Sequence, residues 1–302
     1  MDVSLRQLQM LREVAARGTM AAAADALGYT PSAVSQQIGA LEKAAGVEVL
    51  EKVGRNVRLT DAGRALVGHA EVMLTELERA QVSLENVTSE AKGPVVLAIV
   101  ESVASTLLPP MLAALDARHP GIELRTRQIE PHDAYAGLSL GELDLTFDLD
   151  YPHAPAPVPD GLVRTEIFND WFSLVVPADD ELDGTVDLSR LADRAFIASP
   201  PTSCGRCVTM ACREAGFEPD LRHQVDDYPA TLRLVAGGAG TALVPELGLV
   251  APPPGIKVLD LKVPVRRTVG LTYRESSAGR PAIQAVVDVT RAVVEDLGLD
   301  LV

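Results

Sequence analysis

The chain is poor in cysteine, in net positive charge and in long apolar runs, and each shortage excludes something. Three cysteines in 302 residues is an odd, small number, which does not suit the disulfide framework of a secreted protein. No apolar run reaches membrane-spanning length. The N-terminus lacks the basic-then-apolar form of a secretory leader, and Asp2 argues against one. These absences predict a soluble, cytoplasmic protein with no membrane partner. Catalytic motifs are missing as well. His69, His119, His132, His153 and His223 show no metal-pair or triad spacing, and no serine-centred nucleophile motif occurs. Gly237-Gly238-Ala239-Gly240 lacks the Lys-Ser/Thr of a phosphate loop and follows a helical pattern instead of a strand. No enzyme activity, cofactor or metal is expected, and no internal repeat is found.

The formal net charge is −15, an unpromising figure for a nucleic-acid binder until it is read by region. Residues 1–62 carry seven cations (Arg6, Arg12, Arg17, Lys43, Lys52, Arg55, Arg58) against seven anions (Asp2, Glu13, Asp25, Glu42, Glu48, Glu51, Asp61). The head is neutral, and the acidity sits in the remainder. Any phosphate contact must then come from locally placed cations and helix N-termini, while an acidic body discourages indiscriminate adhesion to DNA.

The head is where the pattern is most informative. Leu5, Leu8, Leu11, Val14 and Ala15 predict a first helix ending near Gly18. Thr19 to Leu27 predicts a second, and Thr30 to Ala45 a third, parted by Gly28-Tyr29-Thr30. Gly28 suits a left-handed cap, Thr30 an N-cap, and Pro31 a first turn where no amide hydrogen is needed. Val34, Ile38, Leu41 and Ala45 fall on one face, which turns Ser32, Ser35, Gln36 and Gly39 outward. Short polar side chains near the start of such a helix are what a major-groove reader presents to base edges. Residues 47–52 and 57–60, joined through Gly54-Arg55-Asn56, predict a hairpin. Arg55 and Arg58 on that wing could reach phosphates or a minor groove, or be ordinary solvated charge.

The run Ala21 to Leu27, then Pro31-Ser32-Ala33-Val34-Ser35-Gln36-Gln37-Ile38, Leu41-Glu42, Gly46-Val47 and Arg58-Leu59-Thr60-Asp61-Ala62-Gly63 resembles the N-terminal domain of LysR-type transcriptional regulators. The resemblance implies a winged helix-turn-helix that binds double-stranded promoter DNA through Thr30, Pro31, Ser32, Ser35, Gln36, Gln37, Arg55 and Arg58. Where the family has Phe and Arg, this chain has Leu50 and Lys52, so no fixed-geometry contact is assigned to Lys52.

Residues 61–92 predict a long linker helix. Leu66, Ala70, Met73, Leu77, Ala80, Leu84 and Val87 form a heptad seam. Either the stripe packs on its own domain or it pairs with a second chain; the resemblance favours pairing, with Leu66, Met73, Leu77 and Leu84 in the interface of a homodimer or homotetramer. From residue 93 to 302 strand and helix patterns alternate, which predicts parallel sheets covered on both faces. Over this stretch the chain resembles the family's effector domain, with Thr231 to Glu246 the best match. The fold class expected is α/β: a winged helix-turn-helix over residues 1–60, the linker helix, and a two-lobed effector domain like periplasmic binding proteins. RNA polymerase is a further partner the resemblance allows.

Two-lobed α/β domains bind ligands where strand ends meet helix starts. Those places hold Glu101, Ser102, Gln128, Phe147, Asp148, Ser199, Ser203, Asp226 and Tyr228, which the resemblance makes the lining for a small-molecule effector. The hydroxyls suit a carboxylate. Glu101, Glu130, Asp148, Asp226 and Asp227 suit a cationic or amine-bearing ligand, or are solvated loop charges, and the effector's charge stays open. Trp171 and Tyr228 are candidates to stack on it, Trp171 alternatively packing at a strand edge. Cys204, Cys207 and Cys212 raise a thiol-switch alternative, since a helix start beside Arg206 lowers a thiol's pKa, or they are small apolar packing residues, as Cys212 would be within a helix. Peroxide-sensing relatives carry two cysteines in this segment. Cys212 lies near one of those positions, but Ser203 takes the other. A zinc site would need His223 as a fourth ligand.

Overall fold

The computed structural model describes residues 2–54, 56–88, 90–152, 155 and 157–302. The chain forms two compact units, Met1–Thr88 and Ser89–Val302. Arg55 and, in the proline-rich loop, His153 and Ala154 lie outside the described residues.

In the first unit, α1 (Leu5–Arg17), α2 (Met20–Leu27) and α3 (Pro31–Ala45) each begin on a hydroxyl cap, from Ser4, Thr19 and Thr30. Gly28 and Gly46 end α2 and α3 at φ of 68° and 75°, a region a β-carbon disfavours. Leu8, Leu11, Val14, Ala24, Val34, Ile38 and Leu41 bury the three inner faces together. The hairpin is shorter than the alternation suggested: β1 is Leu50–Val53 and β2 is Asn56–Leu59. The reason is chemical. The Glu42 carboxylate accepts the amides of Val49 and Leu50 at 2.9 and 3.3 Å, and Thr60 Oγ1 donates to the Glu48 carbonyl, so this stretch is tied down by side chains. The long helix α4 (Asp61–Thr88) starts against it. A β-carbon on Gly63 would stand 2.0 Å from the Val49 carbonyl oxygen, so only glycine fits.

In the second unit, β3 (Gly93–Ile99) is followed by α5 (Glu101–Thr106) and α6 (Leu108–Arg118). Two helices form here because Pro109 and Pro110 occupy the start of α6, where their missing amides cost nothing. β4 (Ile122–Gln128), α7 (Pro131–Leu140) and β5 (Leu145–Asp150) complete a parallel core, with β3 between β4 and β5. β6 (Leu162–Pro177) is a 16-residue strand that serves both lobes. Beyond it come β7 (Ala195–Ile197), α8 (Ser203–Glu214), β8 (Asp220–His223), α9 (Tyr228–Ala236), β9 (Ala242–Pro245) and β10 (Ile256–Leu259). β11 (Arg266–Arg274) returns to lie antiparallel between β5 and β6, and α10 (Pro281–Asp296) and β12 (Asp300–Leu301) close the chain. The sheet is therefore mixed and not purely parallel as expected: β6 pairs antiparallel with β9, β10, β11 and β12. The first half of β6 belongs to a lobe with β3, β4, β5 and β11, the second half to a lobe with β9 and β10.

A helical head and an interlobe cavity

On α3 the face opposite Val34, Ile38 and Leu41 is solvent-exposed at Pro31, Ser32, Ser35, Gln36 and Gly39, with Gln37 at the margin. Thr30 is committed to the cap: its Oγ1 accepts the Ala33 amide at 3.2 Å and lies 3.1 Å from Ser32 Oγ. At the wing, Arg58 is not a free cation. Its guanidinium forms an ion pair with Glu51 across the hairpin at 2.6 Å, set by the register Glu51↔Arg58. A cation that sequence reading passed over stands beside the helix start: Arg6 donates to Tyr29 Oη at 2.5 Å and lies over the Tyr29 ring at 4.7 Å. No sequence signal links residues 6 and 29. Along α4, Leu66 and Ala70 pack into the head core instead of standing free for the expected seam, and the exposed apolar stripe begins after them. Met73, Leu77, Leu84 and Val87 are exposed by 46, 41, 71 and 82%.

The lobes enclose a cavity of about 70 Å³ at the ends of β3, β4 and β5, room for a handful of water-sized atoms. Glu101, Ser102, Gln128, Asp226 and Tyr228 line it, as do Glu130, Leu149, Tyr151, Thr202, Cys204 and Arg267. A smaller cavity of about 30 Å³ shares Thr202, Cys204, Asp226 and Tyr228 and adds Ser199. Three expected residues are elsewhere. Phe147 is fully buried in the hydrophobic core. Asp148 is enclosed by Arg164 at 2.9 Å, Tyr135 Oη at 2.8 Å and Thr272 Oγ1 at 2.7 Å, a closed network with no face on the cavity. Ser203 Oγ accepts from Arg206. β5 continues past Phe147 and Asp148 to Asp150, and Leu149 and, just after the strand, Tyr151 supply the lining. Trp171 lines neither cavity; its indole donates to Asp300 at 3.1 Å.

Arg267 is the residue the sequence most concealed. The pairing of β11 with β6 sets it opposite Asp170. Its guanidinium, 1% exposed, lies 2.7 Å from that carboxylate, and Nη2 donates to Ser102 Oγ at 2.9 Å. Burial opposes the charge, but Asp170 holds it, and the pKa of Arg267 stands well above the usual arginine value. Burial, then Asp227 and Asp226, push the Glu101 carboxyl upward; burial and Asp226 do the same to Glu130; burial and Asp227 raise Asp226.

α8 begins at Ser203 because Thr202 Oγ1 caps it by accepting the Gly205 amide. A β-carbon on Gly205 would meet the Ser199 carbonyl oxygen at 1.8 Å. That close approach places Cys204 in the first turn, its Sγ 3.2 Å from Tyr228 Oη. All three cysteines are free. Burial, more than any neighbour, raises their thiols, Cys207 and Cys212 to about 12, while Arg267 only partly offsets this at Cys204. The expected helix-start activation is outweighed by desolvation. No group of three or more His, Cys, Asp or Glu among the described residues is placed to hold a metal, so His223 completes no site with the cysteines.

Comparison with known proteins settles the family. The family model described as bacterial regulatory helix-turn-helix protein, lysR family, matches residues 5–64, and that described as LysR substrate binding domain matches residues 88–295. The chain belongs to the LysR family of transcriptional regulators. It is a DNA-binding regulator and not an enzyme. It is 30% identical to the HTH-type transcriptional regulator ShiR of Corynebacterium glutamicum, over 95% of this chain and 98% of that one. Its fold matches full-length OxyR from Pseudomonas aeruginosa with a TM-score of 0.70 at 22% identity, covering 96% and 98% of the two chains. It also matches full-length CbnR in complex with its target DNA, with a TM-score of 0.57 at 25% identity, covering 96% and 99%. No described helix of this LysR regulator is long and apolar enough to cross a membrane.

Proposed function

We propose that residues 1–60 read promoter DNA, residues 61–92 form the pairing helix, and residues 93–302 sense a small molecule between the lobes. The observation that carries this reading is the exposed polar face of α3, with Ser32, Ser35 and Gln36 standing out from a helix whose other side is fully buried. Gln37 and the Thr30-Pro31 start orient that face. CbnR, solved with its target DNA, supports the same use here. Arg6 and Lys52 supply phosphate contact, and Arg55 adds a third cation. Arg58 contributes less, because Glu51 already neutralises it. Met73, Leu77 and Leu84 form the seam between two copies, as a homodimer or as the unit of a homotetramer. RNA polymerase is a partner once the regulator is on DNA. Effector binding alters the fit of the two lobes and so the geometry of the paired heads.

A gel shift with DNA upstream of the protein's own gene tests this. The account expects a sequence-specific shift that weakens steeply with salt, since phosphate contacts release counterions. A shift indifferent to sequence and salt would remove it. The thiol-switch alternative has less support, because burial keeps all three thiols protonated.

A further inference from the structure

Taking the interlobe cavity as the effector site, its two linings differ in chemistry and together define a ligand class. The floor is made of donors. Arg267, Tyr151 and Ser102 are 1, 2 and 2% exposed. Ser102 Oγ accepts from Arg267, and the Tyr151 phenol receives only a 3.5 Å contact from Arg267 Nη1. Neither hydroxyl proton has an acceptor among the described residues. Buried donors left unpaired are costly, and this arrangement asks for an incoming acceptor. The mouth is made of anions. The Glu101, Glu130 and Asp226 carboxylates line the cavity, and none has a hydrogen bond or ion pair to a described residue.

Single-charge ligands fit one lining and not the other. A plain carboxylate must pass three carboxyl groups that no cation pairs directly, Arg267 acting on Glu101 and Glu130 only through space, to reach an arginine that Asp170 already holds at 2.7 Å. A plain amine satisfies the mouth and leaves the floor donors unpaired. A bare metal ion has no group of three ligands placed for it among the described residues. We propose that the effector is a small zwitterion of the amino-acid class, its carboxylate on Ser102, Tyr151 and Arg267 and its ammonium at Glu101, Glu130 and Asp226. The volume of about 70 Å³ sets a compact side chain, directed toward the adjoining cavity past Cys204 and Tyr228.

The test is calorimetric titration of the full-length protein with each of the twenty standard amino acids. Each one that binds is then compared with its deaminated acid and its decarboxylated amine. At least one amino acid binds, and both truncated analogues are weaker by tenfold or more, as loss of charge-assisted hydrogen bonds requires. Tyr151→Phe and Asp226→Asn, with melting temperatures close to the parent, each weaken the amino acid about tenfold. An acid or amine that binds as tightly as its parent amino acid overturns the zwitterion; if Tyr151→Phe still weakens that analogue, the cavity remains the effector site. Amino-acid binding untouched by either variant overturns the cavity as the site. Silence from all twenty overturns the ligand class.

Discussion

Single side chains decide what this regulator reads. Replacing Gln36 or Ser35 with Ala removes groups proposed to reach base edges, and each lost base contact would be worth about 1–3 kcal/mol of discrimination. The expected result, in binding to a set of single-base variants, is a flatter preference at one position. Substituting Arg6 with Ala should instead weaken every sequence alike and reduce the salt slope by about one. At the cavity, Arg267 and Asp170 form a buried pair, and Asp170→Asn leaves an uncompensated buried charge. Destabilisation of about 3–5 kcal/mol in denaturant unfolding is expected. The residue-scale reading from sequence succeeded where position follows from helical period, as at Ser35 and Gln36. It failed where position follows from strand register. Arg267 reads as one more basic residue until β11 is laid against β6, and Phe147 and Asp148 read as loop-facing until β5 is seen to run on to Asp150.

At the scale of elements, α4 and α8 carry the argument. The later turns of α4 expose Met73, Leu77, Leu84 and Val87. An apolar stripe of this kind is stable in water when a second chain covers it. Leu77→Glu with Leu84→Glu is therefore expected to shift sedimentation from dimer or tetramer toward monomer while the head keeps its helical signal; an unchanged assembly would place the interface elsewhere. The apolar stripe was legible as a heptad, but where its exposed part starts was not, because Leu66 and Ala70 obey the same spacing while packing into the head. For α8 the prediction is chemical. With Cys207 and Cys212 raised to about 12 by burial, the thiolate is scarce at pH 8, and a thiol reagent should label these two only after unfolding. Rapid labelling of both in the folded protein would contradict the burial seen here. The sequence had left two readings, a helix start beside arginine that favours thiolate and small apolar packing; desolvation favours the second.

At the scale of the molecule, a neutral head is joined to an acidic body, three of whose carboxylates line the cavity. Glu101, Glu130 and Asp226 have pKa values raised above the ordinary carboxylate range, with burial the first cause. The folded state thus binds their protons more tightly than the unfolded chain. Their contribution is most favourable below about pH 4, where ordinary carboxyls protonate, and is lost as pH rises through the raised values. Joint substitution Glu130→Gln with Asp226→Asn is expected to raise the melting temperature near pH 7 and to flatten its fall between acid and neutral pH. An identical profile would show that these carboxylates are not strained. The change from a helical pattern to alternating strands and helices near residue 93 was readable from sequence, and α4 ends at Thr88 and β3 begins at Gly93, but the mixed sheet was not, since β6 alternates little and changes partners midway. The account as a whole rests on paired α3 helices in successive major grooves. Hydroxyl-radical footprinting of the full-length protein on the DNA upstream of its gene tests that most directly. Protection in two patches on one face of the duplex, about 34 Å or a multiple apart, lost together in the Leu77→Glu, Leu84→Glu variant, is the predicted result. A single patch, or two patches that persist in that variant, would contradict it.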